Sequence, residues 1–258
     1  MPIHPTAIVD PGAAIDGSAD IGPYCIIGAS VTVGAGTRLM SHVVMEGRAT
    51  VGSDNTFFPF STVGVAPQDL KYSGEPSETV IGDRNSIREF VAIHRGTRGG
   101  GMVTRIGSDN LLQAYSHVAH DCVVGSHVML GHSVTLAGHV TIQDWAWVGA
   151  FSGVHQFCRV GRHSMIGGYS VITQDVLPYA TTVSARENKI FGANRTGLER
   201  RGFEAQAIES LQKALRLLSG GKLNTSQAVE RIRQELPATA ELEELLEFIA
   251  TSQRGFVK

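Results

Sequence analysis

The chain has 258 residues, 42% of them hydrophobic, with 22 basic and 24 acidic side chains and a formal net charge of −2. That length can hold a sizeable core and two units, and the near-neutral balance speaks against a general nucleic-acid binder. No apolar run is long enough to span a membrane, and the opening MPIHPTAIVD has no basic stretch leading into an apolar one, so a cytoplasmic protein is expected.

From Ile3 the chain steps in sixes. Every sixth residue from Ile3 to Val63 is apolar, as are Ile81, Ile87 and Ile93, and then every sixth from Ile106 to Ile172. Twelve such positions in a row have a chance of roughly 3 in 100,000 at this composition. A period of six fits neither 3.6 nor 3.5, which excludes an amphipathic helix. The residue after the leading aliphatic is often glycine, as at Gly22, Gly34, Gly107 and Gly125, and the fourth after it is small, as at Cys25, Thr37, Ser116 and Ala146. Two inward residues per six fit a short strand and a tight corner, with the glycines expected at φ > 0. Such units cannot bury their own face and must stack, which predicts a parallel β-helix. Three sides of six close a triangular coil of 18, so residues 18 apart should lie one above another at roughly 4.8 Å. The repeat does not itself set the hand of the coil, although the usual crossover rule favours a right-handed one.

Two stretches interrupt the coil. Loop 65–79 lies between Val63 and Ile81, 18 positions that count as one full turn, so the phase survives. Loop 94–105 contains Gly99-Gly100-Gly101, read as a mobile hairpin because no helix pattern follows it. Loops on a rigid scaffold concentrate function. Eight of the ten histidines fall between His94 and His163, none at a leading position. His120, Gly138 and Gln156 each stand two after a leader and stack in one outward column, with His117, Asp121, His139 and His155 beside it. Imidazoles with an adjacent carboxylate on one face suit a general-base site; a solvated polar face is the plainer reading. The three cysteines all take the small inward position and are expected to be space-filling thiols. Cys122 and Cys158 stand two coils apart, roughly 9.6 Å and too far for a disulfide.

The repeat ends after Ile172. Ile208, Leu211, Leu215 and Leu218 form a helical stripe closed by Gly220-Gly221; a second helix starts near Asn224 and Thr225, and Leu242, Leu245, Leu246 and Ile249 make a third. The segment from Arg186 carries 12 basic and 10 acidic residues, so it is +2 while the remainder is −4. The expected organisation is a β-helix over 1–190 and a small C-terminal helical domain over 191–258.

More specific than the hexad are QDLKYSGEP at 68–76, IGDRNSIRE at 81–89, IHRGT at 93–97, SHVAHDC at 116–122, TLAGHV at 135–140, VHQFCRVG at 154–161 and NRTGLERRGF at 194–203. In this order they closely resemble the acyl-ACP–UDP-N-acetylglucosamine O-acyltransferases of lipid A biosynthesis, over nearly the whole chain. The resemblance implies a left-handed parallel β-helix, a homotrimer with active sites between subunits, and transfer of a 3-hydroxyacyl chain from acyl carrier protein to the 3-hydroxyl of UDP-N-acetylglucosamine. No cofactor or metal is implied beyond the carrier's phosphopantetheine. His120 matches the family's general base, Asp121 the carboxylate that orients it, and Gly138 the backbone donor to the oxyanion. Asp69, Lys71, His117, His139, His155, Gln156, Asn194, Arg200 and Arg201 match substrate-contacting positions, and Gly168 the position that limits acyl-chain length. For Arg200 and Arg201 an exposed helix face is the plainer reading.

Three departures stand out: Gly131-His132 replaces a common Asn pair, Thr196 an acidic residue, and segment 182–190 lacks the usual Gly-Asn pair. Rival readings share the hexad fold. In a γ-class carbonic-anhydrase-like zinc enzyme His117, His120 and His139 would converge on the metal, but Asp121 beside His120 and the VHQF segment argue against it. An acetyl-CoA-dependent acetyltransferase would accept acetyl-CoA in place of acyl-ACP. A purely structural β-helix would not need outward histidines beside two long loops.

Overall fold

A computed structural model describes residues 3–184, 188–221 and 223–258. Among these, short parallel strands fall into three sheets, and each strand passes the chain on to the next sheet. The result is a left-handed parallel β-helix followed by helices. The first face holds strands such as Ala92–His94, His117–Val118, Thr135–Leu136 and Gly153–Val154; the second holds Glu78–Ile81, Val103–Ile106 and Val123–Val124; the third holds Met129–Leu130, Trp147–Val148 and Met165–Ile166. Ile8 pairs with Ile26 and Val118 with Leu136, 18 residues apart as expected. The leading aliphatics fill the prism: Ile21, Phe57, Leu112, Val118, Leu136 and Ile166 have no exposed surface.

The corners are not built as the glycine pattern suggests. Of the twelve glycines that follow a leading residue, only Gly64 has φ > 0. The left-handed conformation falls two positions later, on Tyr24, His42, Phe60, Phe90, Tyr115, Asp121, His139, Phe151 and Tyr169, among others. Such a backbone is unfavourable for a side chain with a Cβ. Stacking offsets the cost: Phe60, Phe90 and Tyr115 lie ring on ring with centroids 5.1 and 4.8 Å apart, the spacing between coils. The glycines serve close approach instead. A Cβ on Gly22 would stand 2.3 Å from the Met40 carbonyl oxygen of the next coil.

Loop 65–79 is not a full turn. Val63 pairs with Ile93, 30 positions on instead of 18, so the loop inserts twelve residues at the corner between the first and second faces. Ile93 pairs with Val118, 25 positions on, so the second loop inserts seven at the same corner. Residues 98–100 form a 3-10 turn rather than a hairpin, with the Gly100 and Met102 amides both bonded to the Thr97 carbonyl.

After Ile172 the coil is closed by an antiparallel hairpin, Ala180–Ser184 with Asn188–Ala193, on the third face; the hexad gave no sign of it. Among the described residues four helices follow: α1 (Arg195–Arg200), α2 (Ala205–Ser219), α3 (Thr225–Glu235) and α4 (Ala240–Ala250). α2 buries Ile208, Leu211, Leu215 and Leu218. Asn224 and Gln227 form a reciprocal capping box at the start of α3, which satisfies two amides the helix cannot. The tail is fastened to the coil at Asp175, a buried carboxylate that accepts from Arg159 Nε at 2.9 Å and from Ser252 at 2.9 Å. No described helix is long and apolar enough to cross a membrane.

Candidate active site

Both loops and the histidine column open on one corner, between the first and second faces. His120 sits there two residues past Val118, the end of the strand His117–Val118, with Asp121 in the left-handed corner position at φ 58°. That turn swings the carboxylate back against its neighbour, so Nδ1–H of His120 donates to Asp121 Oδ2 at 2.8 Å. The carboxylate has no exposed surface, while the imidazole keeps 16%. Committing Nδ1–H to the carboxylate leaves Nε2 as the unprotonated nitrogen, which is what a general base requires.

Gly138 stands one coil along. A Cβ there would lie 2.5 Å from His120 Cε1, so a side chain at this position would push the ring aside. Its carbonyl accepts from the Phe157 amide, while its own N–H donates to none of the described groups. His139 approaches His120 edge-on at 5.1 Å and stacks on Phe157 at 4.5 Å. Burial lowers the His139 pKa, partly countered by Asp121 and by Asp69. His117 faces His94 at 5.0 Å; burial, with charge repulsion from His94 and His120, pushes it down to about 4. His94 Nδ1–H donates to the Ala66 carbonyl at 2.8 Å and so ties down the start of the first loop. In that loop Asp69 accepts from the Lys71 amide at 3.0 Å, and the Lys71 side chain is exposed. His155 and Gln156 are exposed further along the same corner.

The remaining candidates lie elsewhere on the chain. Asn194 caps α1 through the Gly197 amide and donates to the His163 carbonyl at 2.9 Å, so its side chain holds the fold here. Arg200 is exposed and, with Arg201, Trp147 and Met165, lines a cleft of ≈560 Å³ over the third face. Arg201 donates to the Trp145 carbonyl at 3.0 Å and lies 5.2 Å over that indole, so it is not the plain exposed helix residue that its sequence position allows. Gly168 is exposed at the corner between the third and first faces, 3.1 Å (as a Cβ) from the Ala150 carbonyl. One chain therefore assembles His117, His120, Asp121, Gly138 and His139 but keeps Asn194, Arg200, Arg201 and Gly168 apart from them. Of segment 182–190, residues 185–187 lie outside the described residues; Thr196 is exposed beside the cleft.

The metal constellation differs from the three-histidine set. His120, Asp121 and His139 have ligand atoms within 4.8 Å of one another, and His117 is not among them. Asp121 already accepts three hydrogen bonds, from His120 and from the amide and hydroxyl of Thr97. The three cysteines are buried, free thiols, and burial pushes Cys122 up to about 12. A thiolate nucleophile is thereby disfavoured.

Sequence reasoning missed Thr97, Gly100 and Glu75. A Cβ on Gly100 would fall 2.0 Å from Asp121 Cγ, so the glycine lets the 3-10 turn close over the carboxylate. Thr97 and Glu75 both lie inside quoted motifs, but no spacing rule brings two separate loops together.

Comparison with known proteins fits this geometry. Residues 175–257 match the second domain of the UDP-N-acetylglucosamine O-acyltransferases, and residues 104–138 the bacterial transferase hexapeptide repeats. The acyl-[acyl-carrier-protein]–UDP-N-acetylglucosamine O-acyltransferase of Thermodesulfovibrio yellowstonii is 46% identical over 256 residues, covering 99% of both chains. The chain belongs to this acyltransferase family. Among solved structures, LpxA from Acinetobacter baumannii is 45% identical with a TM-score of 0.95, covering 99% of each chain. LpxA from Bacteroides fragilis, a UDP-N-acetylglucosamine acyltransferase, is 38% identical with a TM-score of 0.96, covering 99% of this chain and 100% of its own.

Proposed function

We propose that this chain transfers a 3-hydroxyacyl group from acyl carrier protein to the 3-position of UDP-N-acetylglucosamine, the first step of lipid A biosynthesis. The observation that carries the reading is the His120–Asp121 dyad, with its free Nε2 beside Gly138, in a chain that matches this family from end to end. His120 Nε2 takes the proton of the sugar 3-hydroxyl as that oxygen attacks the thioester carbonyl. Asp121 holds the ring in the required tautomer and stabilises the imidazolium. The Gly138 N–H supports the oxyanion of the tetrahedral intermediate, a role worth roughly 3–4 kcal/mol in a comparable enzyme. Collapse breaks the carbon–sulfur bond, and the imidazolium returns its proton to the departing phosphopantetheine thiolate. The acyl group passes directly to the sugar, with no acyl-enzyme and no cofactor beyond the carrier's own prosthetic group.

Asp69, Lys71, His117, His139, His155 and Gln156 contact the substrates at the dyad's corner. Asn194, Arg200, Arg201 and Gly168 come to the same site from a neighbouring copy in a homotrimer; their separation within one chain supports this arrangement. Arginine suits the nucleotide phosphates or the acidic carrier.

The test is a panel of 3-hydroxyacyl-ACPs against UDP-N-acetylglucosamine and its 3-amino analogue, with the products read by mass. An ester product from acyl-ACP is expected. Turnover with acetyl-CoA and none with acyl-ACP would overturn the reading.

A further inference from the structure

The Asp121 carboxylate is held by more than its histidine. The Thr97 amide donates to Oδ1 at 2.9 Å, and the Thr97 hydroxyl donates to Oδ2 at 2.5 Å, the same oxygen that accepts from His120. Thr97 is buried, and so is the carboxylate, so water has no ready access to replace the hydroxyl. Thr97 lies in an inserted loop that the coil itself does not position. A second carboxylate does that. Glu75, buried in the other loop, accepts from the Arg98 amide at 3.0 Å through Oε1 and from the Ser73 amide at 3.0 Å through Oε2. A continuous run of hydrogen bonds thus leads from loop 65–79 through Glu75, the Thr97–Arg98 backbone and Asp121 to His120.

We propose that Thr97 is a positioning residue for acyl transfer, with Glu75 pinning its backbone from the neighbouring loop. The proposal rests on the acyl-transfer reading above. Two donors on one carboxylate oxygen divide its charge and fix the plane of the group. Without the hydroxyl, Oδ2 accepts from His120 alone, so the plane of the carboxylate is less firmly fixed and more of that oxygen's charge falls on the imidazole. The imidazolium should then persist to higher pH. The other groups facing His120 are His139, edge-on, His94 and His117, whose charges it feels, and Asp69 beyond His139. Of all these contacts, substitution at Thr97 alters the bonding of Asp121.

Thr97→Val removes the hydroxyl while keeping side-chain volume and backbone amide, Thr97→Ser keeps the hydroxyl, and Glu75→Gln weakens the tie between loops. Each would be assayed for kcat and KM across pH with acyl-ACP and UDP-N-acetylglucosamine. His120 would be titrated by ring NMR, its signals assigned by their loss in His120→Gln. Thr97→Val should lower kcat by about 10- to 100-fold with KM within about threefold, and should raise the His120 titration midpoint by about half a unit or more. Thr97→Ser should recover both, and Glu75→Gln should fall between. Unchanged kcat and titration in Thr97→Val overturns the proposal, as does a lower thermal midpoint with the titration unmoved. If the wild-type protein transfers no acyl group, the functional reading fails, while the His120 titration still judges Thr97.

Discussion

At the scale of single residues, His120 is the side chain on which the chemistry should turn. It is partly exposed, meets His139 edge-to-face, and supplies nothing to the interior of the coil. His120→Ala should therefore lower turnover by about 100- to 10,000-fold and leave the far-UV spectrum and oligomeric state unchanged; retention of more than a tenth of wild-type turnover would remove it from the base's role. Other histidines matter for stability. Burial, with repulsion from Arg201 and Arg162, pushes His163 down to about 4, and His117 lies at about 4 for similar reasons, both from an ordinary 6.5. Between those values the unfolded chain binds protons that the folded chain does not, so stability falls as pH drops from about 6.5 toward 4. His163→Phe keeps a ring between Trp145 and Tyr179 but cannot titrate. Urea midpoints at pH 7.5, 6 and 5 should fall less steeply for that variant than for wild type.

At the scale of elements, the six-residue unit contains two kinds of glycine that look alike in sequence. Gly22 and Gly28 both follow a leading isoleucine, yet a Cβ on Gly22 would meet the Met40 carbonyl oxygen at 2.3 Å, whereas one on Gly28 would make an ordinary contact at 3.5 Å. Gly22→Ala should destabilise the coil by about 1–3 kcal/mol, as overpacking does, and Gly28→Ala should change it little; thermal melts of the two variants check this. The same positions mark what the sequence made legible. The inward leaders and the coil of 18 could be read because burial imposes a strict period. The corner could not, since its left-handed residue is often an aromatic or a histidine whose cost is offset by a ring on the next coil. The outward column of His120, Gly138 and Gln156, each two after a leader, was legible for the reason the coil was. Thr97 and Glu75 were not, because loop insertions of twelve and seven residues carry no period to follow.

At the scale of the whole molecule, the prism separates residues that the proposed reaction would bring together. The dyad faces outward from the corner between the first and second faces, and Gly168 from the corner between the third and first, with Arg200 over the third face. In the proposed trimer, three copies packed side by side would place the third-face residues of one against the dyad of the next, which would make acyl-chain selection a property of the assembly. Gly168 is exposed and carries no side chain, so an acyl groove passing over it would be open at that point. Each additional buried CH₂ contributes roughly 0.8 kcal/mol, so a few more methylenes in an open groove give a strong preference for the longer chain. Gly168→Met should place a flexible apolar side chain across that path. A Cβ there is already 3.1 Å from the Ala150 carbonyl, which leaves the side chain little room to lie back against the coil and directs it outward. Wild type should favour the longer 3-hydroxyacyl-ACPs, and Gly168→Met should shift the preference toward shorter ones with kcat on the best short chain kept within about tenfold. Competition assays with mixed acyl-ACPs, the products weighed by mass spectrometry, measure the shift directly. A wild-type preference for short chains, or an unchanged profile in the Met variant, would show that the groove ends elsewhere.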